Sequence, residues 1–171
     1  KMKSDSIQDW RRHRLADLRR VSLDPLVRRE IARLLQDPVN LSARAELQIQ
    51  LKINRKETVY EDALFLDTRG NILLSDNPNP APIDQATIKA IEVALKDRKE
   101  VLSDFSRAPK GSIYIDVLAP IFDNSGQPLA IVVLRSNAAD FLYPFIQTWP
   151  TPSRTAETVL VCRDGDSILF L

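Results

Sequence analysis

The sequence contains one cysteine, one histidine and four glycines among 171 residues. Cys162 can form no internal disulfide and cannot build a metal site alone, and its apolar neighbours favour a small buried side chain. His13 lies among arginines in a helical pattern, which disfavours a histidine-based catalytic triad. The glycines fall in turn-like segments, and the chain carries neither a GxGxxG nor a Walker sequence. We therefore expect a protein that is not an enzyme and that holds no metal or cofactor.

A strong excess of charge and a long apolar run are also missing. The formal net charge is +1, whereas a dedicated nucleic-acid-binding protein is usually strongly basic. The hydrophobic content of 44% is sufficient for one ordinary core. Neither a signal-peptide pattern nor a run of eighteen apolar residues occurs. These features indicate either a cytoplasmic protein or a region of a membrane protein that lies outside its targeting and membrane segments.

The most regular pattern runs from Ser112 to Arg135. Residues 112–123 and 129–135 are rich in β-branched and aromatic side chains, and Asn124 to Gln127 between them are typical of a turn. This pattern predicts a long β-hairpin. The second strand is nearly all apolar, which predicts that both faces of the sheet are covered.

The N-terminal region shows helical periodicity over residues 7–36. Pro25 is compatible with a helix that kinks or restarts there, with Asp24 as the N-cap. Residues 1–35 hold ten Lys and Arg against five Asp and Glu, a local excess of five positive charges. A solvated helix face explains this excess, and proximity to an anionic membrane surface or to nucleic acid is the alternative.

Further elements follow in a clear order. Asn40 or Ser42 can cap a second helix that ends near Arg55, and residues 58–66 and 72–75 predict a hairpin. Asp84 is a good N-cap for a helix to about Asp97, and Ile83 and Ile88 occupy the positions of a hydrophobic staple. The remaining predicted elements are a short strand over residues 101–106, the long hairpin, and a short helix that starts at Asn137 and contains Phe141 and Leu142. The order predicts an α+β fold, a PAS-like five-stranded antiparallel sheet with flanking helices and a long N-terminal helix.

The C-terminal residues 158–171 repeat the pattern of residues 63–74, with an Asp-Gly turn. We interpret them as the start of a second module of the same kind. The predicted organisation is therefore N-terminal helices over residues 1–56, a PAS-like module over 57–147, and a linker with the first hairpin of a truncated second module over 148–171.

Five short motifs connect these elements: Leu66-Asp67-x-x-Gly70-Asn71, Ala119 to Asp123, Gly126 to Leu129, Trp149 to Ser153, and Arg163 to Asp166. In order and spacing the chain resembles the extracytoplasmic Cache sensor region, PAS-like and often double, of prokaryotic transmembrane histidine kinases, diguanylate cyclases and chemoreceptors. The resemblance implies a periplasmic or extracellular part of an inner-membrane protein, tethered to the membrane. It also implies a homodimer formed through the long N-terminal helix and a small ligand of the amino acid or carboxylate class.

A ligand site is expected in the cleft between the sheet and residues 77–97, where a PAS-like fold has its pocket. The candidate ligand-binding residues are Ser103, Asp104, Phe105, Arg107, Tyr114 and Asp116. Arg107 or Lys110 on the adjoining loop can hold a carboxylate, Asp116 can hold an ammonium group, and Tyr114 and Phe105 can form the walls. The alternative is that Tyr114 and Asp116 face solvent, or that Asp116 pairs with Arg135 across the hairpin.

These features favour a sensory input domain that passes a small-molecule signal through its long helix. Two other functions stay open. One is a structural module of such a receptor that dimerises without a ligand, and the other is a cytoplasmic PAS-like or profilin-like interaction domain.

Overall fold

The structure is a computed structural model that describes residues 2–57, 60–108, 111–140, 161–164 and 167–170. Its helices are α1 (Met2–Ser22), α2 (Pro25–Gln36), α3 (Leu41–Glu57) and α4 (Gln85–Asp97). Its strands are β1 (Asp62–Leu66), β2 (Ile72–Ser75), β3 (Val101–Leu102), β4 (Ser106–Arg107), β5 (Ile113–Phe122), β6 (Pro128–Asn137), β7 (Val161–Asp164) and β8 (Ser167–Phe170).

The first six strands form one antiparallel sheet in the order β2-β1-β6-β5-β3, with β4 also paired to β5. The predicted α+β, PAS-like fold is thereby confirmed. The sheet has six strands, not five, because the strand predicted over residues 101–106 is divided into β3 and β4. The Ser103 hydroxyl accepts the amide of Asp116 at 2.9 Å and so replaces a main-chain acceptor where the ladder is interrupted.

The long N-terminal helix is two helices, and it restarts at the proline. α1 ends at Ser22, and Pro25 is the first residue of α2. The Asp24 carboxylate accepts the amide of Leu26 at 2.8 Å, as an N-cap does. Proline is well suited to this position because its missing N–H would have no partner in the first turn.

Side-chain caps also set the starts of the next two helices. Asn40, one of the two predicted caps of α3, accepts the amide of Ala43 at 2.9 Å. Asp84 caps α4 as predicted and accepts the amide of Thr87 at 2.9 Å. Ile83 and Ile88, the predicted staple, both pack against the apolar cluster beneath α4.

β1 begins at Asp62, later than the predicted residue 58. Just before it, Tyr60 packs into the core beside α1, with its hydroxyl 3.5 Å from Asp17 and the Arg14 guanidinium 4.8 Å from its ring centre. The amide of Glu61 already donates to the carbonyl of Arg135 at 2.8 Å. Tyr60 is thus held against α1 just before the regular strand begins.

The two faces of the sheet have different covers. One face packs against α1, α2 and α3, and its buried strand residues are Ala63, Phe65, Val117, Ala119, Ile121, Ala130, Val132 and Leu134. The other face packs against α4 through Leu64, Leu66, Leu118, Ile131 and Val133. Because side chains alternate along a strand, Asp62, Tyr114, Asp116 and Arg135 lie on the α4 face. The α4 face is therefore apolar at one end and polar at the other.

The C-terminal strands β7 and β8 pair with each other in a two-stranded sheet, as the predicted hairpin requires. Its turn lies outside the described residues, and the proposed domain boundaries stay predictions. After Asn137, whose side chain accepts the amide of Ala139 at 3.0 Å, a helical turn begins. Phe141 and Leu142 of the predicted short helix are outside the described residues. Within the described ranges, no helix is long and apolar enough to cross a membrane.

Candidate functional site

A cavity of about 320 Å³ opens at the polar end of the α4 face. It is bounded by the start of β1, the loop between β2 and α4, the loop before β5, and strands β5 and β6. The lining residues are Glu61, Asp62, Asn77, Asn79, Ala81, Pro82, Ala108, Ser112, Tyr114 and Arg135. The volume is at the lower end of the range for small-molecule sites, about 300–1,000 Å³. The proline-rich loop provides one wall with a backbone that has little conformational freedom.

A buried ion pair lies at the floor of the cavity. Arg135 is 2% exposed and Asp116 is fully buried, and the strand register places them opposite each other. The guanidinium donates from Nε to Oδ1 and from Nη2 to Oδ2 of Asp116, each at 2.8 Å. Burial lowers the pKa of Arg135, but the hydrogen bonds and charge of Asp116 outweigh this effect and raise it above its ordinary value. Arg135 therefore carries its charge in this site.

A hydrogen-bond network joins this floor to the start of α4. Tyr114 donates its hydroxyl to Asp84 at 2.7 Å, and the Thr87 hydroxyl lies 2.7 Å from Asp116 and 3.0 Å from Asp84. Burial raises the pKa of Asp84, but hydrogen bonds from Ser106, Thr87 and Tyr114 hold it below its usual value. Burial and the bond to Asp84 raise the pKa of the Tyr114 phenol. The polar groups of Tyr114 and Asp116 thus have partners within the protein.

Asp62, on the wall of the cavity, is bound much less firmly. Its side chain is within 3.3 Å of the Ser75 hydroxyl and 3.4 Å of the Asn77 amide, which are long for hydrogen bonds. The neighbouring Asp76 instead pairs with Arg55 of α3 at 3.0 Å. Burial, and then the negative charge of Asp76, raise the pKa of Asp62. The cavity therefore contains a buried carboxylate with weak internal support.

Two of the six predicted site residues belong to this cavity or its floor. Tyr114 lines the cavity, and Asp116 lies beneath it in the ion pair with Arg135. That pair is the alternative that the sequence left open for Asp116. It reduces the capacity of Asp116 to hold an ammonium group because both carboxylate oxygens already accept hydrogen bonds.

The other four predicted residues lie elsewhere. Ser103 and Asp104 line a separate groove of about 360 Å³ beside α4, whereas Phe105 and Arg107 line neither this groove nor the cavity. The structure thus separates the predicted set into two residues at the cavity, two at the groove and two at neither, and Lys110 is outside the described residues. Ligand binding by these residues stays a prediction.

The sequence did not identify Glu61, Asp62, Asn77, Asn79 or Arg135 as site residues. The sequence did contain one indication of Asp62. It lies at alternate positions with Leu64 and Leu66 along the strand, so it places a charged group on a strand face that is otherwise apolar. In the part of the chain that is described, no three His, Cys, Asp or Glu side chains come together as a metal site.

Comparisons with known proteins identify the fold. No family model and no curated protein sequence matches the chain. The sensor domain of Escherichia coli DcuS superposes with a TM-score of 0.61 at 15% identity, over 86% of this chain and 99% of that domain.

Two ligand-bound chemoreceptor domains are similar to the same extent. The Campylobacter jejuni Tlp3 domain with L-norvaline gives a TM-score of 0.64 at 15% identity, over 86% of this chain and 59% of that one. The Pseudomonas aeruginosa PctC domain with GABA gives 0.60 at 14% identity, over 86% of this chain and 61% of that one. The chain therefore spans less than two thirds of these two domains. At such identities the likeness establishes the fold, and this chain has the fold of Cache-like extracytoplasmic sensor domains, as its motifs predicted.

Proposed function

We propose that this chain is the ligand-sensing input domain of a membrane-bound signal-transduction receptor and that it lies outside the cytoplasm. The observation that carries the proposal is the cavity at the polar end of the α4 face, with a buried ion pair at its floor and a weakly supported carboxylate in its wall. The fold supports it, since the Tlp3 and PctC domains of the same fold were solved with L-norvaline and GABA. Amino acids and carboxylates are therefore the first ligand classes to test.

A route from the cavity to α1 follows from the chain itself. Glu61 and Asp62 line the cavity, and the residue before them, Tyr60, contacts Arg14 and Asp17 of α1. A ligand that contacts residues 61–62 more favourably in one position of this segment will shift the population toward that position. The membrane tether and the homodimer through the N-terminal helix remain predictions that belong to this proposal.

A thermal-shift screen tests the proposal. The purified domain is mixed with amino acids, carboxylates, amines and nucleobases. A ligand that binds only the folded state, at a hundred times its dissociation constant, stabilises it by about 2.7 kcal/mol. We expect at least one compound to raise the melting temperature.

A cavity-filling variant locates the binding site. Ser112 is half-buried in the lining, so Ser112→Phe is expected to abolish the shift by occupying the space. Ser42→Phe on the exposed start of α3 is the matched control and is expected to keep it. Absence of any shift, or an equal shift in both variants, would contradict the proposal.

A further inference from the structure

Asp62 is a buried carboxylate without a direct ion pair to offset the cost of its removal from water. Its residue is 2% exposed and lines the cavity. A buried carboxylate is ordinarily paired with a cation or held by several good hydrogen bonds, because removing its charge from water is costly. Asp62 accepts two long hydrogen bonds, from Ser75 and Asn77, and the nearby charge of Arg135 also favours its carboxylate. Among the described residues, however, no lysine or arginine forms an ion pair with it.

The strand register shows why Asp62 has no ion pair of its own. Arg135 of β6 lies opposite both Asp62 of β1 and Asp116 of β5, so a single cation stands between two buried acids. Its guanidinium turns to Asp116 and uses Nε and Nη2 there, while Nη1 lies 3.4 Å from the carbonyl of Ala81. Asp116 is thus paired directly with Arg135, whereas Asp62 has the charge of Arg135 nearby but no direct ion pair.

The charges of the lining also disfavour an anionic ligand. Arg135 is the one cationic residue of the described lining, and Asp116 already balances it. Glu61 and Asp62 are acidic. A ligand carboxylate would meet two like charges and a guanidinium that already has a partner. An ammonium group would instead supply the cation with which the buried Asp62 can pair.

Resting on the proposed function, we infer that the cavity binds a small organic amine without a carboxylate, and that Asp62 is the counterion of its ammonium group. A second ammonium N–H group can donate to the side-chain oxygen of Asn79 in the same lining, whereas the side-chain oxygen of Asn77 already accepts the amide of Asn79. The raised pKa of Asp62 agrees with this, because burial next to Asp76 disfavours the free carboxylate until a cation arrives. An inorganic cation is less suited, since the described residues bring no third acidic or histidine ligand to the site.

Pairs of ligands that differ only in the carboxylate test the inference. Ethanolamine and serine, 1,4-diaminobutane and ornithine, and histamine and histidine are such pairs, and succinate serves as an anionic probe. We expect isothermal titration calorimetry to show that the amine of a binding pair binds at least about tenfold more tightly than its amino acid. Succinate is expected not to bind.

Two charge-removing variants assign the counterion. Asp62→Asn keeps the shape of the side chain, and we expect it to weaken amine binding at least about tenfold. Asp140→Asn removes an exposed carboxylate that lies outside the lining of the cavity and is expected to leave the affinity unchanged. Circular dichroism and the melting temperature of each variant check that it is folded.

The failures of the two proposals can be told apart. An amino acid or succinate that binds more tightly than the amines, or an amine whose affinity survives Asp62→Asn, would overturn this inference and leave the sensory function standing. The inference would also be overturned if Na⁺, Mg²⁺ or Ca²⁺ bound the cavity as tightly as a resident metal ion does and displaced the amine. If no compound of any pair binds but another compound of the thermal-shift screen does, this inference fails and the sensory function stands. If no compound of the screen binds, both fail.

Discussion

The two faces of the sheet show how one set of strands serves stability and binding separately. The face under α1, α2 and α3 is apolar across β1, β5 and β6. The face under α4 is apolar beneath the body of the helix. At the N-terminal end of the helix and beyond it, the face carries Asp62, Tyr114, Asp116 and Arg135. Because adjacent residues of a strand point to opposite faces, Asp62 and Ala63 belong to different environments.

The difference has an energetic meaning. A fully buried aliphatic or aromatic side chain contributes about 1.5–3 kcal/mol relative to exposure. The face that packs against α1, α2 and α3, here called the three-helix face, contains many of them. A buried charge stabilises only if its partners offset the desolvation. Arg135 and Asp116 offset each other, whereas Asp62 has no such partner. The polar end of the α4 face is therefore where the fold gives up stability, as binding sites often do.

The largest effect is expected on the three-helix face. Phe65 of β1 is fully buried in its core, so Phe65→Ala leaves a cavity that the neighbouring helices cannot fill. We expect a loss of about 4 kcal/mol in the free energy of unfolding, measured by urea denaturation. Ile72→Ala on the exposed start of β2 is the control and should cost less than about 1 kcal/mol. A loss below about 2 kcal/mol for Phe65→Ala would mean that this face is not the main source of stability.

Breaking the ion pair is expected to have the next largest effect. Arg135→Met leaves Asp116 buried without its cation, and we expect a loss of about 3 kcal/mol. The exposed pair of Arg12 with Asp9 provides the control, because Arg12→Met should change stability by less than about 1 kcal/mol.

A second variant separates the charge from the packing. Adding Asp116→Leu to Arg135→Met removes the unpaired charge, so most of the lost stability should return. If the double variant is no more stable than Arg135→Met alone, the stability was lost because packing around the guanidinium was lost. The buried charges would then distinguish the stability of the two faces less than we infer.

Much of the fold was predictable because it is determined by local interactions. Residues 72–75 and the N-cap Asp84 follow from side chains close in sequence, and so does the hairpin of β5 and β6. The restart at Pro25 was one of two options, and the hydrogen bond from Leu26 to Asp24 decided it. The start of β1 was not predicted correctly, and the contact of Tyr60 with α1 just before it joins residues more than 40 positions apart in the chain.

The site was less predictable because it depends on which strand phase faces α4. Both phases of β5 contain apolar residues, so alternation alone did not orient Tyr114 and Asp116. Arg135 appeared only as a pairing partner, and Asp62 was missed because its role requires β1, β6 and the proline-rich loop to meet. The amino-acid composition does not indicate that these three segments contact one another.

The smallest effect is a gain in stability on the α4 face. Asp62→Asn removes a buried charge that lacks a cation, and we expect the ligand-free domain to be stabilised by about 1 kcal/mol near neutral pH. The pH dependence of stability is an independent test of whether the Asp62 charge destabilises the fold. Because the pKa of Asp62 is raised in the folded state, the folded protein holds this proton more tightly than the unfolded chain does.

Stability of the wild-type domain should therefore fall as pH rises through the folded pKa of Asp62, and the Asn variant should lack this part of the slope. The gain from Asp62→Asn should be largest above that pKa and disappear below the unfolded value near 3.8. Urea denaturation of both proteins from acidic to neutral pH measures the difference. A variant that is less stable than wild type near neutral pH would show that Asp62 supports the fold, and the contrast between the two faces would then lose its main support.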